Sequence, residues 1–118
     1  IQIQEAFPEP RIAEKAFEET RAKHTEPQKI HQRLRDLQEQ WPELQPQLKL
    51  QLTSLEEMRQ NLRAAGAPGA ASEIGITAEN LRKTVQAARF LRSRYTVLDL
   101  LEELGLLEVA VRSASLPY

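Results

Sequence analysis

The chain has 118 residues, of which 41% are hydrophobic and 28% charged, and its formal net charge is −1. This length and balance fit one folded domain and differ from those of a disordered chain. The balanced charge argues against nucleic acid or an anionic membrane as a partner, and the lack of cysteine excludes disulfides, thiolate metal sites and a cysteine nucleophile.

Residues 10–64 are predicted to form the N-terminal helices. Pro10 suits the first position of a helix, where the N–H that proline lacks would have no partner. An apolar stripe then follows at helical spacing, and the helix is expected to fade at Lys23 and His24. The stripe consists of Ile12, Ala16, Phe17 and Thr20.

A second helix is predicted to begin at Thr25, which forms a possible capping box with Gln28 and places Pro27 in the first turn. Pro42 and Pro46 interrupt its pattern, so we predict a kink or break near Trp41–Pro42 and leave open whether Pro46 is helical. Six apolar residues recur at alternating steps of four and three and form a continuous seam. They are Ile30, Leu34, Leu37, Trp41, Leu44 and Leu48.

A further capping box, Ser54 with Glu57, predicts another helix that ends before a loop at 65–76. Gly66 is expected to end this helix in the left-handed conformation, and Pro68 prevents its continuation.

Residues 77–112 are predicted to form the C-terminal helices. Thr77 caps the first of these, for which the predicted buried residues are Leu81, Val85, Ala88 and Leu91. Thr96 and Asp99 form a capping box before "VLDLLEELGLL", a short helix that Gly105 ends. This helix is apolar on most sides, so it is expected to be widely buried, either at the centre of a bundle or against another surface.

The predicted fold is all-α, an irregular bundle of about five to six helices in a single domain over residues 1–118. The tail "VAVRSASLPY" is expected to add a short turn.

No residue is predicted to be catalytic, cofactor-binding or metal-binding. His24 and His31 are seven apart with a cap between them, so we expect two solvent-facing side chains. Arg82, Arg89 and Arg92 share one predicted helical face and could meet a phosphate, although such residues more often pair with acids or stay in water. No glycine-rich phosphate loop occurs.

Three short motifs resemble the C-terminal region of bacterial sn-glycerol-1-phosphate dehydrogenases, of the iron-containing alcohol dehydrogenase and dehydroquinate synthase superfamily. They are "LRAAGAP" at 62–68, "SEIGIT" at 72–77 and "RSRYTVLDLLEELGLLE" at 92–108, with weaker similarity in "AFPEP" at 6–10 and "WPEL" at 41–44.

The resemblance implies a two-domain parent enzyme of phospholipid metabolism that reduces dihydroxyacetone phosphate with NAD(P)H. In such an enzyme a divalent metal (Zn, Ni or Fe) polarises the carbonyl. The family's glycine-rich loop and histidine-bearing metal segments have no counterpart here, so neither His24 nor His31 takes a metal role and the chain alone is expected to be inert.

This resemblance leads to the expectation that the chain, which starts at Ile1 rather than methionine, is a structural piece of such an enzyme. Its partners would be the rest of the parent chain and possibly further copies, without nucleic acid or a membrane span, in the cytoplasm. The alternative is a free-standing helical interaction module that uses the Ile30-to-Leu48 seam or the leucine run after Tyr95.

Overall fold

The computed structural model describes residues 2–113, and this part of the chain is helical without any strand. It contains seven α-helices: α1 Ile3–Ala6, α2 Pro10–Ala22, α3 Pro27–Gln51, α4 Leu55–Ala64, α5 Ala78–Ala88, α6 Val97–Glu103 and α7 Leu107–Ser113. Two short 3₁₀ helices, Ala71–Ile74 and Arg89–Leu91, flank α5. The all-α prediction is confirmed, with α1 as a short helix that the sequence pattern did not indicate.

The helices belong to two compact units. Unit 1 combines Ile1–His24 with Ala70–Tyr118, of which 2–24 and 70–113 are described, and unit 2 is Thr25–Gly69. The assignment of residues 1–118 to a single domain stays a prediction.

The core of unit 1 is small. Ala16 of α2, Ala87 of α5 and Phe90 of the second 3₁₀ helix are buried together, and α1 packs Ile3 and Ala6 against them. Small side chains at two of these three positions let the helices approach closely around the single large ring of Phe90. Leu107 and Val111 are buried on α7, which contacts α5 and α6.

The buried face of α5 differs from the predicted one. Leu81 and Val85 are half-buried, whereas Ala88 and Leu91 are exposed, and the buried side chains are Ala87 and Phe90. The α-helix ends at Ala88 and a 3₁₀ turn follows, so the 3.6-residue period used for the prediction does not extend to Leu91.

In unit 2, α3 runs without interruption from Pro27 to Gln51 and includes Pro42 and Pro46. The predicted break at Trp41–Pro42 is therefore wrong, while a kink there stays a prediction. The predicted capping box at Thr25 is also wrong: the N-cap is Glu26, without a side-chain hydrogen bond, because Pro27 takes the first helical position. Neither α3 nor α4 has a buried residue.

The other predicted helix ends are confirmed. Ser54 and Thr77 accept hydrogen bonds from the backbone N–H groups of Glu57 and Asn80, at 3.1 Å and 3.2 Å. Gly66 ends α4 at φ 71°, and Gly105 ends α6 at φ 68°. The N–H of Leu106 donates to the carbonyl of Leu101 at 2.7 Å, as in a Schellman motif.

Two predictions concern the chain ends. The short turn expected in the tail is helix α7 as far as Ser113, and the rest of that tail, 114–118, lies outside the described residues. Within 2–113, no helix combines the length and the apolar character needed to cross a bilayer.

Candidate functional site

The least exposed ion pair described in unit 1 joins Lys23, just after α2, to Asp99 of α6. Lys23 Nζ lies 2.6 Å from Asp99 Oδ1, and each side chain is only 9% exposed. The same ammonium group donates a hydrogen bond to the backbone carbonyl of Arg89. One lysine thus joins three segments: the end of α2, the second 3₁₀ helix and the start of α6.

The second oxygen of Asp99 completes the cap of α6. Its Oδ2 accepts hydrogen bonds from the backbone N–H and the hydroxyl of Thr96, at 2.9 Å and 2.8 Å. Burial alone would raise the pKa of Asp99, but the hydrogen bonds from Lys23 and Thr96 outweigh burial and hold this pKa below its ordinary value. Asp99 is therefore a structural carboxylate, already used by both partners.

A second link joins α2 to the corner before α6. The backbone N–H of Ser93 donates to Glu19 Oε2 at 2.6 Å. This bond, with Lys15 nearby on α2, lowers the pKa of Glu19. Ser93, at the corner before α6, is thus joined to α2 by this bond, while Asp99 joins α6 to Lys23 just after α2.

Arg89 lies beside this cluster. Its Nη2 is 2.9 Å from Glu102 Oε1 on α6, and its guanidinium carbon lies 4.3 Å from the centre of the Phe90 ring. Among residues 2–113, its Nε is buried without a hydrogen-bond partner. Glu102 thus neutralises much of the charge that Arg89 could offer to an anion.

A groove of about 990 Å³ opens between α1, α2 and the second 3₁₀ helix. Its walls are mainly apolar, with Arg89 and Glu14 as its charged residues. The apolar lining includes Ile3, Phe7, Pro8, Pro10, Phe17 and Phe90. Because Arg89 is already paired, this groove offers apolar contact rather than a charged binding site.

Helix α6 is less buried than its sequence predicts, since Leu98, Leu100 and Leu101 are only half-buried. Its one buried residue is the charged Asp99, whereas Val97 is 66% exposed. The exposed apolar residues from Val97 onward, here called the C-terminal apolar set, are Val97, Leu104, Leu106 and Val109. Within residues 2–113 the run is thus half-buried rather than widely buried, and the choice between its two predicted positions stays a prediction.

The arginine face that the sequence predicts does not form. Arg82 lies on α5 and Arg89 follows its end, but Arg92 is exposed in extended backbone at φ −144°. The pairing of Arg89 with Glu102 confirms, for this residue, the interpretation that such cations pair with acids on a neighbouring helix.

His24 and His31 are both exposed, as predicted. Within the described range, no three His, Cys, Asp or Glu residues lie close enough together to hold a metal ion.

The sequence did not indicate the role of Lys23. The sequence placed Lys23 only at the fading end of the first helix. The signal lay instead at Asp99. An aspartate within a strongly apolar run needs a partner if that run packs against other helices.

Comparisons of this chain with protein-family models, with curated proteins and with solved structures give no match.

Proposed function

We propose that this chain is a structural docking segment, whose C-terminal helices pack against another part of a larger protein. The observation that carries the proposal is the burial pattern in and after α6: Asp99 pairs with Lys23, while Val97 of α6 and the following Leu104 and Leu106 are exposed. The ion pair holds α6 against the end of α2, so the C-terminal apolar set is available to a surface outside the described residues.

The larger protein in this proposal is a metal- and NAD(P)-dependent sn-glycerol-1-phosphate dehydrogenase. The support is the resemblance in residues 62–108, which includes the whole of α6 and Gly105. On this proposal the reacting groups, the nucleotide and the divalent metal belong to the partner part. This chain then contributes the support that keeps that part folded.

A complementation assay tests the proposal. A bacterial sn-glycerol-1-phosphate dehydrogenase truncated before its C-terminal helices is mixed with residues 1–118, and oxidation of NADH or NADPH by dihydroxyacetone phosphate is followed. We expect no turnover by residues 1–118 alone and recovery of turnover in the mixture. Val97→Asp should abolish recovery, because it places a charge in the docking surface.

Ile74→Asp is the matched control. Ile74 is also an exposed aliphatic residue, at 59%, but it lies in the first 3₁₀ helix and outside the C-terminal apolar set. Recovery that is equal for both variants, or turnover by residues 1–118 without the enzyme part, would contradict the proposal.

A second candidate is a free-standing helical interaction module. The specific observation in its favour is that α3 and α4 of unit 2 form 35 helical residues without one buried side chain. Isolated helices of this kind are marginal in water, so another surface is needed to stabilise them. A full-length chain that binds no enzyme part but captures a helical partner through unit 2 would favour this candidate.

A further inference from the structure

The apolar seam of α3 is defined by its six residues Ile30, Leu34, Leu37, Trp41, Leu44 and Leu48, all within one uninterrupted helix. None of the six is buried: five are half-buried and Trp41 is 42% exposed. Their alternating steps of four and three match the first and fourth positions of a heptad, the pattern of helices that pair along their length.

Both internal prolines lie away from this seam. With about 100° of rotation per residue, Pro42 lies about 120° and Pro46 about 160° around α3 from the centre of the seam. The hydrogen bonds that they remove are therefore missing on the outer, water-facing side. The seam itself remains continuous over the full helix.

The spacing of the seam is the same when it is read in either direction. A second α3 placed antiparallel, with a two-fold axis at Glu39, meets each seam residue with another seam residue. The resulting pairs are Ile30 with Leu48, Leu34 with Leu44, and Leu37 with Trp41. We propose that α3 pairs in this antiparallel arrangement with α3 of a second copy of this chain.

The residues beside the seam suit this arrangement. Five of the six flanking positions carry no formal charge at pH 7, and an antiparallel pair sets Arg33 opposite Gln47 and His31 opposite Gln45. Glutamine can donate and accept hydrogen bonds, so Gln38 and Gln40 can each face their own copy at the axis.

The charges along α3 favour the antiparallel direction over the parallel one. In residues 27–38, Lys29, Arg33 and Arg35 outnumber Asp36, whereas in 39–51 the acids Glu39 and Glu43 outnumber Lys49. An antiparallel pair sets the basic half of each helix beside the acidic half of its copy, and it also opposes the two helix dipoles.

This inference concerns unit 2 and does not depend on docking through α6. Sedimentation velocity of the full chain over a range of concentrations tests the self-association. Leu48→Glu should raise the dimer dissociation constant at least about 100-fold, since it buries a charge in the seam. Leu50→Glu, the same change two residues away at a side chain that is 88% exposed, should leave the constant unchanged.

Far-UV circular dichroism checks that both variants keep their helices. If Leu48→Glu lowers the helix content even at the highest concentration, a mixture of Leu37→Glu with Trp41→Lys replaces it. Position 37 faces position 41 of the copy, so the opposite charges meet and the mixture should dimerise where neither variant alone does. A wild-type chain that stays monomeric at every concentration, or equal effects of Leu48→Glu and Leu50→Glu, would overturn the proposal.

Single cysteines test the direction of pairing against a cysteine-free background. Gln40→Cys lies next to the axis, so oxidation should join two copies through a disulfide. Gln47→Cys occupies the same heptad position one repeat away, where the two thiols of an antiparallel pair are about 24 Å apart along the helix, and it should not cross-link. If both variants cross-link equally, or if only Gln47→Cys cross-links, the antiparallel arrangement is contradicted.

Discussion

Asp99 occupies the third position of α6 and serves two partners with its two carboxylate oxygens, Lys23 on one and Thr96 on the other. The Lys23 and Asp99 side chains are each 9% exposed, so the pair differs from the exposed pairs elsewhere in the chain, such as Lys83 with Glu79. Removal of one member leaves a largely desolvated charge without compensation.

We therefore predict that Asp99→Asn lowers the free energy of unfolding by about 3 kcal/mol, as is typical when one partner of a buried ion pair is removed. Urea unfolding of the full chain, followed by circular dichroism, measures the change. Glu102→Gln is the matched control, because it removes the same charge from α6 at a side chain that is 48% exposed. It should cost less than about 1 kcal/mol. A larger loss for Glu102→Gln than for Asp99→Asn would refute this account of the pair.

The lowered pKa of Asp99 also predicts how stability depends on pH. The unfolded chain binds a proton at this carboxyl near pH 3.9, whereas the folded chain resists protonation until a lower pH. The contribution of Asp99 is therefore fully present above about pH 5 and is lost as the pH falls through the folded pKa. Between pH 6 and pH 3, the Tm of the wild type should fall more steeply than the Tm of Asp99→Asn. If both Tm values fall in parallel, the pH dependence does not come from Asp99.

At the residue scale, the sequence predicts the contacts that are local. The Thr96–Asp99 capping box and the Ser54 and Thr77 caps follow from neighbours three residues apart. Lys23 and Arg89 could not be predicted as members of the same cluster, because their contacts join segments that only the packing of α2 against the second 3₁₀ helix brings together.

Helix α3 is the element in which local propensity and observed structure disagree most. Pro42 and Pro46 each remove a backbone donor in its interior, yet the helix continues through both. Burial in α3 itself does not explain this continuity, because none of its residues is buried. Leu44, between the two prolines, keeps its place in the apolar seam. Packing of this seam against a second copy, as proposed above, would stabilise the helix through both prolines.

We predict that Pro42→Ala increases the helix content and stability of unit 2, by up to about 3 kcal/mol, since alanine restores the missing hydrogen bond. Pro27→Ala is the matched control in the same helix, where proline occupies the first turn at little cost. Far-UV circular dichroism and urea unfolding compare the two. If Pro42→Ala leaves the helix content and stability unchanged, or if Pro27→Ala raises them equally, Pro42 does not destabilise α3 as we predict.

At the scale of elements, the sequence predicts helices and most of their ends, but not which face is buried. The end of the α5 face was misassigned because a 3₁₀ turn, Arg89–Leu91, follows the α-helix and contains the buried Phe90. The N-terminus of α3 was misassigned because Pro27 determines the start more strongly than the hydroxyl of Thr25. Both errors arise where a local change of backbone geometry overrides the regular period.

Across the described residues, apolar side chains are more often exposed than buried. Five hydrophobic residues are buried, whereas fifteen large hydrophobic residues are exposed, so packing within residues 2–113 uses only part of the apolar surface available. The composition correctly predicts that the chain can form a core, but it does not predict where the remaining apolar surface lies. Of the fifteen, five lie on the two helices of unit 2 and four form the C-terminal apolar set.

This distribution is the physical basis of our proposal that unit 2 and the C-terminal apolar set are covered by another polypeptide, either a larger enzyme or a second copy. Unit 1 has its own small core around Ala16, Ala87 and Phe90, so its amide groups should be protected in the isolated chain. Unit 2 lacks an equivalent, since neither of its helices buries a side chain.

Amide hydrogen exchange of the full chain at low concentration, read peptide by peptide with mass spectrometry, tests this claim most directly. The account predicts that amides of α3 exchange at least about tenfold faster than those of α2 and α5, because α3 has no buried side chains to stabilise it. Protection of α3 equal to that of α2 in the dilute, monomeric chain would contradict the claim.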